Sequence, residues 1–347
     1  MLVDSPPEQR AETAPAPPTR RAIRTVGLLV SVVILVLVAL ASIAIGAKEL
    51  PLDQVWHGLF HDSGTYADVV VGERRSRTVL GLLVGAALGL SGAVLQALTR
   101  NPLADPGLLG INAGASAAVV TAITYFGVTT LSGYVWFAFF GAAAVGALVW
   151  FLGGSRGATP VRLALAGTAI SAALYGYLQA VMIMDDAALG KMRFWTVGSL
   201  ASATDSMIMQ VLPFLVIGSV LALTLARPLN AMAMGDDTAR ALGANLNRTR
   251  ALSMAAATVL CGAATAACGP IVFVGLMVPH IVRSFTGPDL RWILPYATVL
   301  SPVLLLGADV VGRIVARPAE LQVGIVTAVI GGPVFIYLVR RRRTAQL

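Results

Sequence analysis

Residues 79–98 read VLGLLVGAALGLSGAVLQAL. No ionisable side chain interrupts them, and as a helix rising 1.5 Å per residue they cover about 30 Å, the thickness of a bilayer's hydrocarbon core. Gly81, Gly85 and Gly89 recur every four residues and so share one helix face. That small-xxx-small spacing lets two helix backbones approach closely in lipid. The stretch therefore predicts a membrane-spanning helix packed along its glycine face against another helix. Charges resume at both ends, with Arg77 before it and Arg100 after it.

The rest of the chain repeats this pattern. Of 347 residues, 57% are hydrophobic and 12% charged, against about 25% charged in a soluble domain. Ten stretches predict spans: 26–46, 79–98, 107–128, 134–153, 161–184, 207–226, 250–268, 271–283, 291–310 and 321–339. The eighth is short enough for a tilted, broken or re-entrant segment. The expected fold is an all-α membrane protein of about ten transmembrane helices. A permease-like domain covers 26–347, and residues 1–25, rich in Pro, Ala and charge, form a disordered tail. Arg20-Arg21 ahead of the first apolar run invites an export-signal reading. The run is as long as a full span and more spans follow, so a retained helix is expected.

The formal charge is +8, with two lysines and 23 arginines. Nucleic acid is one partner of such a balance and an anionic membrane surface another. The arginines cluster between the apolar runs and at the ends, which selects the membrane. Cytoplasmic loops carry the excess of Lys and Arg. With an even number of spans and both termini inside, 17 of the 25 basic residues fall on the inner side. This predicts a multi-pass protein of the cytoplasmic membrane with both termini cytoplasmic.

Gradient-driven carriers hold their coupling ion on ionisable groups within the spans. Here only Asp309 lies in one, near its outer end, and Arg313 four residues on offers it an ion pair. The only lysines, Lys48 and Lys191, lie in Ala47-Lys48-Glu49 and Gly190-Lys191-Met192, so there is no P-loop. The energy must then come from elsewhere, and an ATP-driven importer of this kind would need a separate ATPase. The chain is expected not to be an enzyme and to bind no cofactor or metal, ATP and magnesium belonging to the partner. Ser91 with His280 offers a serine–histidine dyad, but small residues of that helix are better explained by packing. Cys261 and Cys268 are seven apart, about 10 Å along a helix, too far for a disulfide.

The segment from Arg74 to Ser116, RRSRTVLGLLVGAALGLSGAVLQALTRNPLADPGLLGINAGAS, resembles the permeases of iron–siderophore and cobalamin ABC importers. So do LGANLNRTR, GPIVFVGLMVPHIVRSFTGPDLRWILP, ADVVGRI and ELQVGIVTAVIGGPVFIYLVRRR in the C-terminal third. Ser76 stands where the family usually has Pro, and Gln322 where Pro is common, which would loosen a turn at each.

The resemblance implies two permease subunits, identical or sister chains, around a central path, with two ATPase subunits below and a substrate-binding protein above. Ferric siderophore is the implied cargo, with haem and cobalamin behind it. Asn101-Pro102-Leu103 and Thr159-Pro160-Val161 would form cytoplasmic gates. The loop at about 227–250 would carry the ATPase coupling helices. There Gly235-Asp236 can cap a short helix, Asp237 suits its positive end, Gly243 can end it, and Ala239 and Leu242 offer an apolar knob. Arg74 and Arg313 would face outward to acids of the binding protein, with Arg193 and Trp195 as weaker members of that face. Membrane lipid, and no nucleic acid, completes the expected surroundings.

Overall fold

The uncharged run 79–98 lies within one helix of 34 residues, α3 (Tyr66–Thr99). Thr65 opens it with a capping box, its hydroxyl accepting from the Asp68 amide while the Asp68 carboxylate accepts from the Thr65 amide. Arg100 closes it in a left-handed conformation (φ 51). The helix starts 13 residues before the expected span because Glu73 to Arg77 interrupt the apolar run and not the helix. Hydropathy marks where lipid begins, whereas the capping box marks where the helix begins.

The computed structural model describes residues 20–61, 64–154 and 160–344, which are all-helical: fourteen α-helices and one 3-10 turn at Pro106–Leu109. Besides α3 these are α1 (Arg20–Ala44), α2 (Leu52–Phe60), α4 (Ile111–Phe126), α5 (Leu131–Gly154), α6 (Pro160–Met184), α7 (Asp186–Trp195) and α8 (Asp205–Thr224). They continue with α9 (Ala226–Ala233), α10 (Asp236–Ala241), α11 (Leu246–Cys268), α12 (Val274–Thr286), α13 (Leu290–Val315) and α14 (Val323–Thr344). Each of the ten expected stretches contains a helix. Seven helices are long and apolar enough to cross a membrane, and α4 and the apolar part of α14 are shorter. The expected tail boundary at residue 25 is corrected, since α1 already runs from Arg20; residues 1–19 lie outside the described residues.

The glycine face meets its partner as the spacing predicts. A Cβ on Gly85 would stand 2.6 Å from the Pro302 Cα of α13, so no side chain fits there. Beyond it, α11 and α12 also pack on α3, while α4, α5 and α6 form a further layer. By contrast α1 is peripheral, resting chiefly on α13. Its Leu29, Leu37 and Leu40 are exposed, as side chains facing lipid are.

Two groups of charge bracket this bundle. Arg77 and Arg100 of α3 are 23 residues apart, about 34 Å, with no charged residue between them. The described salt bridges join residues on the same side of that gap: His57, Arg75, Arg77, Arg313 and Arg317 with their acids at one end, Arg100, Arg240, Arg250 and Arg291 at the other. The short eighth segment has a specific geometry. α12 has 13 residues, about 20 Å, and begins at Val274 after Phe273 at φ 70. Gly275 lies against Leu88 and Gly92, midway between Arg77 and Arg100. This helix is therefore little more than half as long as the uncharged stretch between Arg77 and Arg100, and an irregular segment from Gly269 leads into it.

Candidate functional sites at the two faces

At the Arg100 end, the loop before α11 folds into α9 and α10. Gly235 precedes α10 at φ 109, a conformation open to glycine, and offers no side-chain cap. Gly243 ends it at φ 81. Its amide donates to the Arg240 carbonyl at 2.9 Å and the Ala244 amide to the Ala239 carbonyl at 2.9 Å, a Schellman motif that satisfies the last carbonyls. Asp237 stays on the surface and pairs with Arg240 at 2.8 Å.

Asp236 is not the cap that its position suggests. One carboxylate oxygen accepts from Arg100 at 2.6 Å and the other from Arg250 at 2.6 Å. Arg100 also donates to the Met232 carbonyl. Burial opposes ionisation of Asp236, but the hydrogen bond from Arg100 and the charge and hydrogen bond of Arg250 outweigh it, so its pKa lies below the ordinary carboxylate value. Nearby, Asp289 caps α13 and pairs with Arg291; the hydrogen bond from Arg291 is the main cause that brings its pKa down to about 2.

Ala239 and Leu242 separate in the fold. Ala239 is 0% exposed and faces inward, whereas Leu242 is 63% exposed, as is Met234 at the end of α9. Of Ala239 and Leu242, only Leu242 stands on the surface.

The first gate stretch is a tight turn immediately after Arg100. Asn101 Oδ1 accepts from the Leu103 amide at 2.9 Å and its carbonyl from the Ala104 amide at 3.1 Å. Asp105 then accepts from the Gly107 amide at 2.7 Å, opening the 3-10 turn. Burial pushes the Asp105 carboxyl up to about 6. Pro160 is the first residue of α6, where its missing N–H costs nothing; Thr159 lies outside the described residues. Asn101 and Asp105 line one cavity of ≈ 400 Å³ with Val161, Leu165 and Thr168. The fold thus brings the two gate stretches together.

At the Arg77 end the expectation of outward-facing Arg74 and Arg313 is corrected, since they are 6% and 1% exposed. Arg74 donates to the carbonyls of Ile43, Ala44 and Lys48, and Arg313 to those of Ser42 and Ile45 and to the Ser42 hydroxyl. The last carbonyls of α1 lack partners within the helix, and these guanidinium groups supply donors and positive charge at the negative end of its dipole. The pairing of Asp309 with Arg313 holds, at 2.6 Å. Asp309 also takes Arg77 at 2.7 Å, and Arg77 reaches Glu320 at 2.6 Å. Exposed charge at this end includes Glu73, Arg75 and Arg193, beside exposed Glu49, Asp205, Arg317 and Glu320. Ser76 lies within α3 and donates to Asp205 at 2.6 Å, so it loosens no turn. Trp195, with Arg77, Lys191 and Glu320, lines a cavity of ≈ 450 Å³ at this end.

Between the two ends, Asn112 accepts from Thr265 at 2.9 Å, and Gln96 donates to the Leu276 carbonyl of α12 at 3.0 Å. The Ser91 hydroxyl donates back to the Leu88 carbonyl at 3.0 Å. Among the described residues no group of three or more His, Cys, Asp or Glu side chains could hold a metal ion.

Comparison with known proteins agrees with this geometry. The FecCD transport family matches residues 34–341. The chain is 45% identical to the ferric enterobactin transport system permease protein FepD of Escherichia coli (strain K12), over 93% of this chain and 96% of that protein. It is 38% identical to the Fe(3+)-citrate import system permease protein YfmD of Bacillus subtilis (strain 168), over 94% and 98%. A solved inward-facing structure assigned to the metal-chelate type of ABC transporter superposes with a TM-score of 0.80 at 28% identity, covering 91% of this chain and 99% of that one.

Proposed function

The chain belongs to the FecCD transport family of ABC importer permeases, and on that premise we propose that it carries a ferric siderophore, or an iron chelate of similar bulk, across the cytoplasmic membrane. The similarity to the ferric enterobactin permease along nearly the whole of both chains carries the choice of cargo. Haem is the alternative, because the hemin transport system permease protein HmuU of Yersinia pestis is 37% identical. Uptake of radiolabelled ferric catecholate, ferric citrate and haem by a strain lacking its own permeases tests the assignment. Uptake of haem alone would overturn it.

In this reading nine of the ten helices that match the expected stretches cross the membrane, α12 completes the tenth crossing together with the irregular segment before it, and the Arg100 end is cytoplasmic. An ATPase docks on Met234 and Leu242. Its movement reaches the gate through Asp236, because that carboxylate holds Arg100, the residue next to Asn101. The arrangement needs two permeases. Gln179 is exposed on α6 beside exposed Ala172, Ala173 and Gly176, and an amide facing lipid is costly whereas one facing a path or second subunit is not. Binding-protein contact falls to the exposed Glu73, Arg75 and Arg193, since Arg74 and Arg313 are occupied with α1.

A further inference from the structure

Helix α2, LDQVWHGLF at residues 52–60, is short, lies next to the Arg77 cluster and belongs to none of the expected spans. Successive residues of a helix turn by about 100°, and this divides α2 into three sectors. Val55 and Gly58 share one. Val55 is buried, and a Cβ on Gly58 would stand 3.1 Å from Val71 Cβ and 3.2 Å from Asp68 Oδ1, so this sector rests on α3. Leu52, Trp56 and Phe60 form the second, at the i, i+4, i+8 spacing. They are 74%, 68% and 65% exposed, and the Trp56 and Phe60 rings lie 4.8 Å apart. Asp53, Gln54 and His57 form the third, His57 lying 3.7 Å from Asp68.

An unpartnered row of Leu, Trp and Phe beside a polar row needs a third environment, neither protein nor water. We propose that the Leu52–Trp56–Phe60 row lies in the headgroup–acyl boundary of the leaflet at the Arg77 end, so that α2 is an interfacial helix and lipid is its partner. Three observations select lipid. Helix α2 touches α1, whose exposed Leu37 and Leu40 lie toward the end from which the chain passes into α2. The connection is short and fixed in depth, because Arg74 holds the Lys48 carbonyl at 2.6 Å, four residues before α2. Finally Lys48 Nζ stands 4.0 Å over the exposed Tyr66 ring, and Tyr, Trp and Lys are the residues that collect at membrane interfaces. An interfacial helix buries its apolar face about 5–10 Å into that boundary.

The proposal rests on the chain being a membrane permease and not on which cargo it carries, so a wrong cargo leaves it intact. The test places a nitroxide label at Asp53, Trp56, His57 or Phe60 in the permease–ATPase complex in nanodiscs, with Cys261 and Cys268 replaced by alanine. Collisions with oxygen should exceed those with a water-soluble nickel chelate several-fold at Trp56 and Phe60, and the order should reverse at Asp53 and His57. Equal access of the nickel chelate to all four sites overturns the proposal. So does shielding of Trp56 and Phe60 from both reagents, which would mean a protein contact, including one that appears only when the binding protein is added. A second measurement keeps the native cysteines: lipids brominated near the headgroup should quench tryptophan fluorescence less in Trp56→Phe than in the parent. Identical quenching counts against the proposal.

Discussion

Asp236 and Arg100 meet at 2.6 Å although 136 residues separate them, and Arg100 immediately precedes the gate turn at Asn101. The contact joins the helix proposed to receive the ATPase to the loop proposed to close the path. Asp236→Asn keeps the shape and removes the charge. We expect uptake to fall about tenfold, since a charge-assisted hydrogen bond is worth about 1.5–3 kcal/mol, while ATP hydrolysis by the assembled complex stays within about twofold of the parent. Parallel loss of both activities would place the defect in assembly instead of coupling.

The same pair has a defined pH signature. A carboxylate whose folded pKa is depressed contributes stability that is complete above its unfolded value and is lost as pH falls through the folded one. Asp236 is shifted downward from 3.8. The difference in thermal unfolding temperature between parent and Asp236→Asn should therefore be constant from pH 8 to about pH 5 and shrink only in stronger acid. A difference that already disappears near pH 6 contradicts the assigned pairing.

Leu242 and Ala239 make opposite predictions. Leu242→Glu changes an exposed side chain, so the isolated permease should unfold within about 0.5 kcal/mol of the parent. Its affinity for the ATPase should drop by about a hundredfold if the site is covered there, since an unpaired buried polar group costs a few kcal/mol. Ala239→Glu should instead lower the stability of the permease itself. If Leu242→Glu binds its ATPase like the parent, docking lies elsewhere.

Arg313 is expected to act through stability. Removing one partner of a buried ion pair costs about 3–5 kcal/mol, and Arg313→Ala would leave Asp309 with Arg77 alone and take the donors from the Ser42 and Ile45 carbonyls of α1. Thermal unfolding in detergent should show a large drop for Arg313→Ala. Binding-protein affinity per folded molecule should be unchanged, and a selective loss of that affinity would restore a docking role.

Sidedness can be measured directly. Cysteines at Glu49 and Asn247, both exposed, should react oppositely with an impermeant thiol reagent in intact cells after Cys261 and Cys268 are replaced. Labelling of Asn247→Cys from outside would reverse the topology.

The helices at the ten expected stretches were legible in the sequence because lipid imposes length and apolarity on each span separately, and the glycine spacing of α3 also foretold its tight contact with α13, whereas the short α2 and α7 fall outside every expected stretch. The charge network was much less so. Arg74 and Arg313 read as arginines at span ends, and nothing near them in sequence shows that the carbonyls of α1 lie beside them. Gly46 is the one local sign, since a Cβ there would collide with the Arg74 guanidinium. Asp236 read as a helix cap because Arg100 and Arg250 reach it only in three dimensions. Ala239 and Leu242 looked alike as small apolar residues of one loop, and only the direction each takes in α10 separates them.

The attachment of α1 has a consequence for biogenesis. Its anchoring acceptor Ser42 and donor Arg313 lie 271 residues apart, so α1 is synthesised long before this fastening can form. At a synthesis rate of about 5–20 residues per second, roughly 14–54 s pass before the donor emerges. During that interval α1 waits in the bilayer as an independent apolar span, with Arg74 the earlier of its two main clasps.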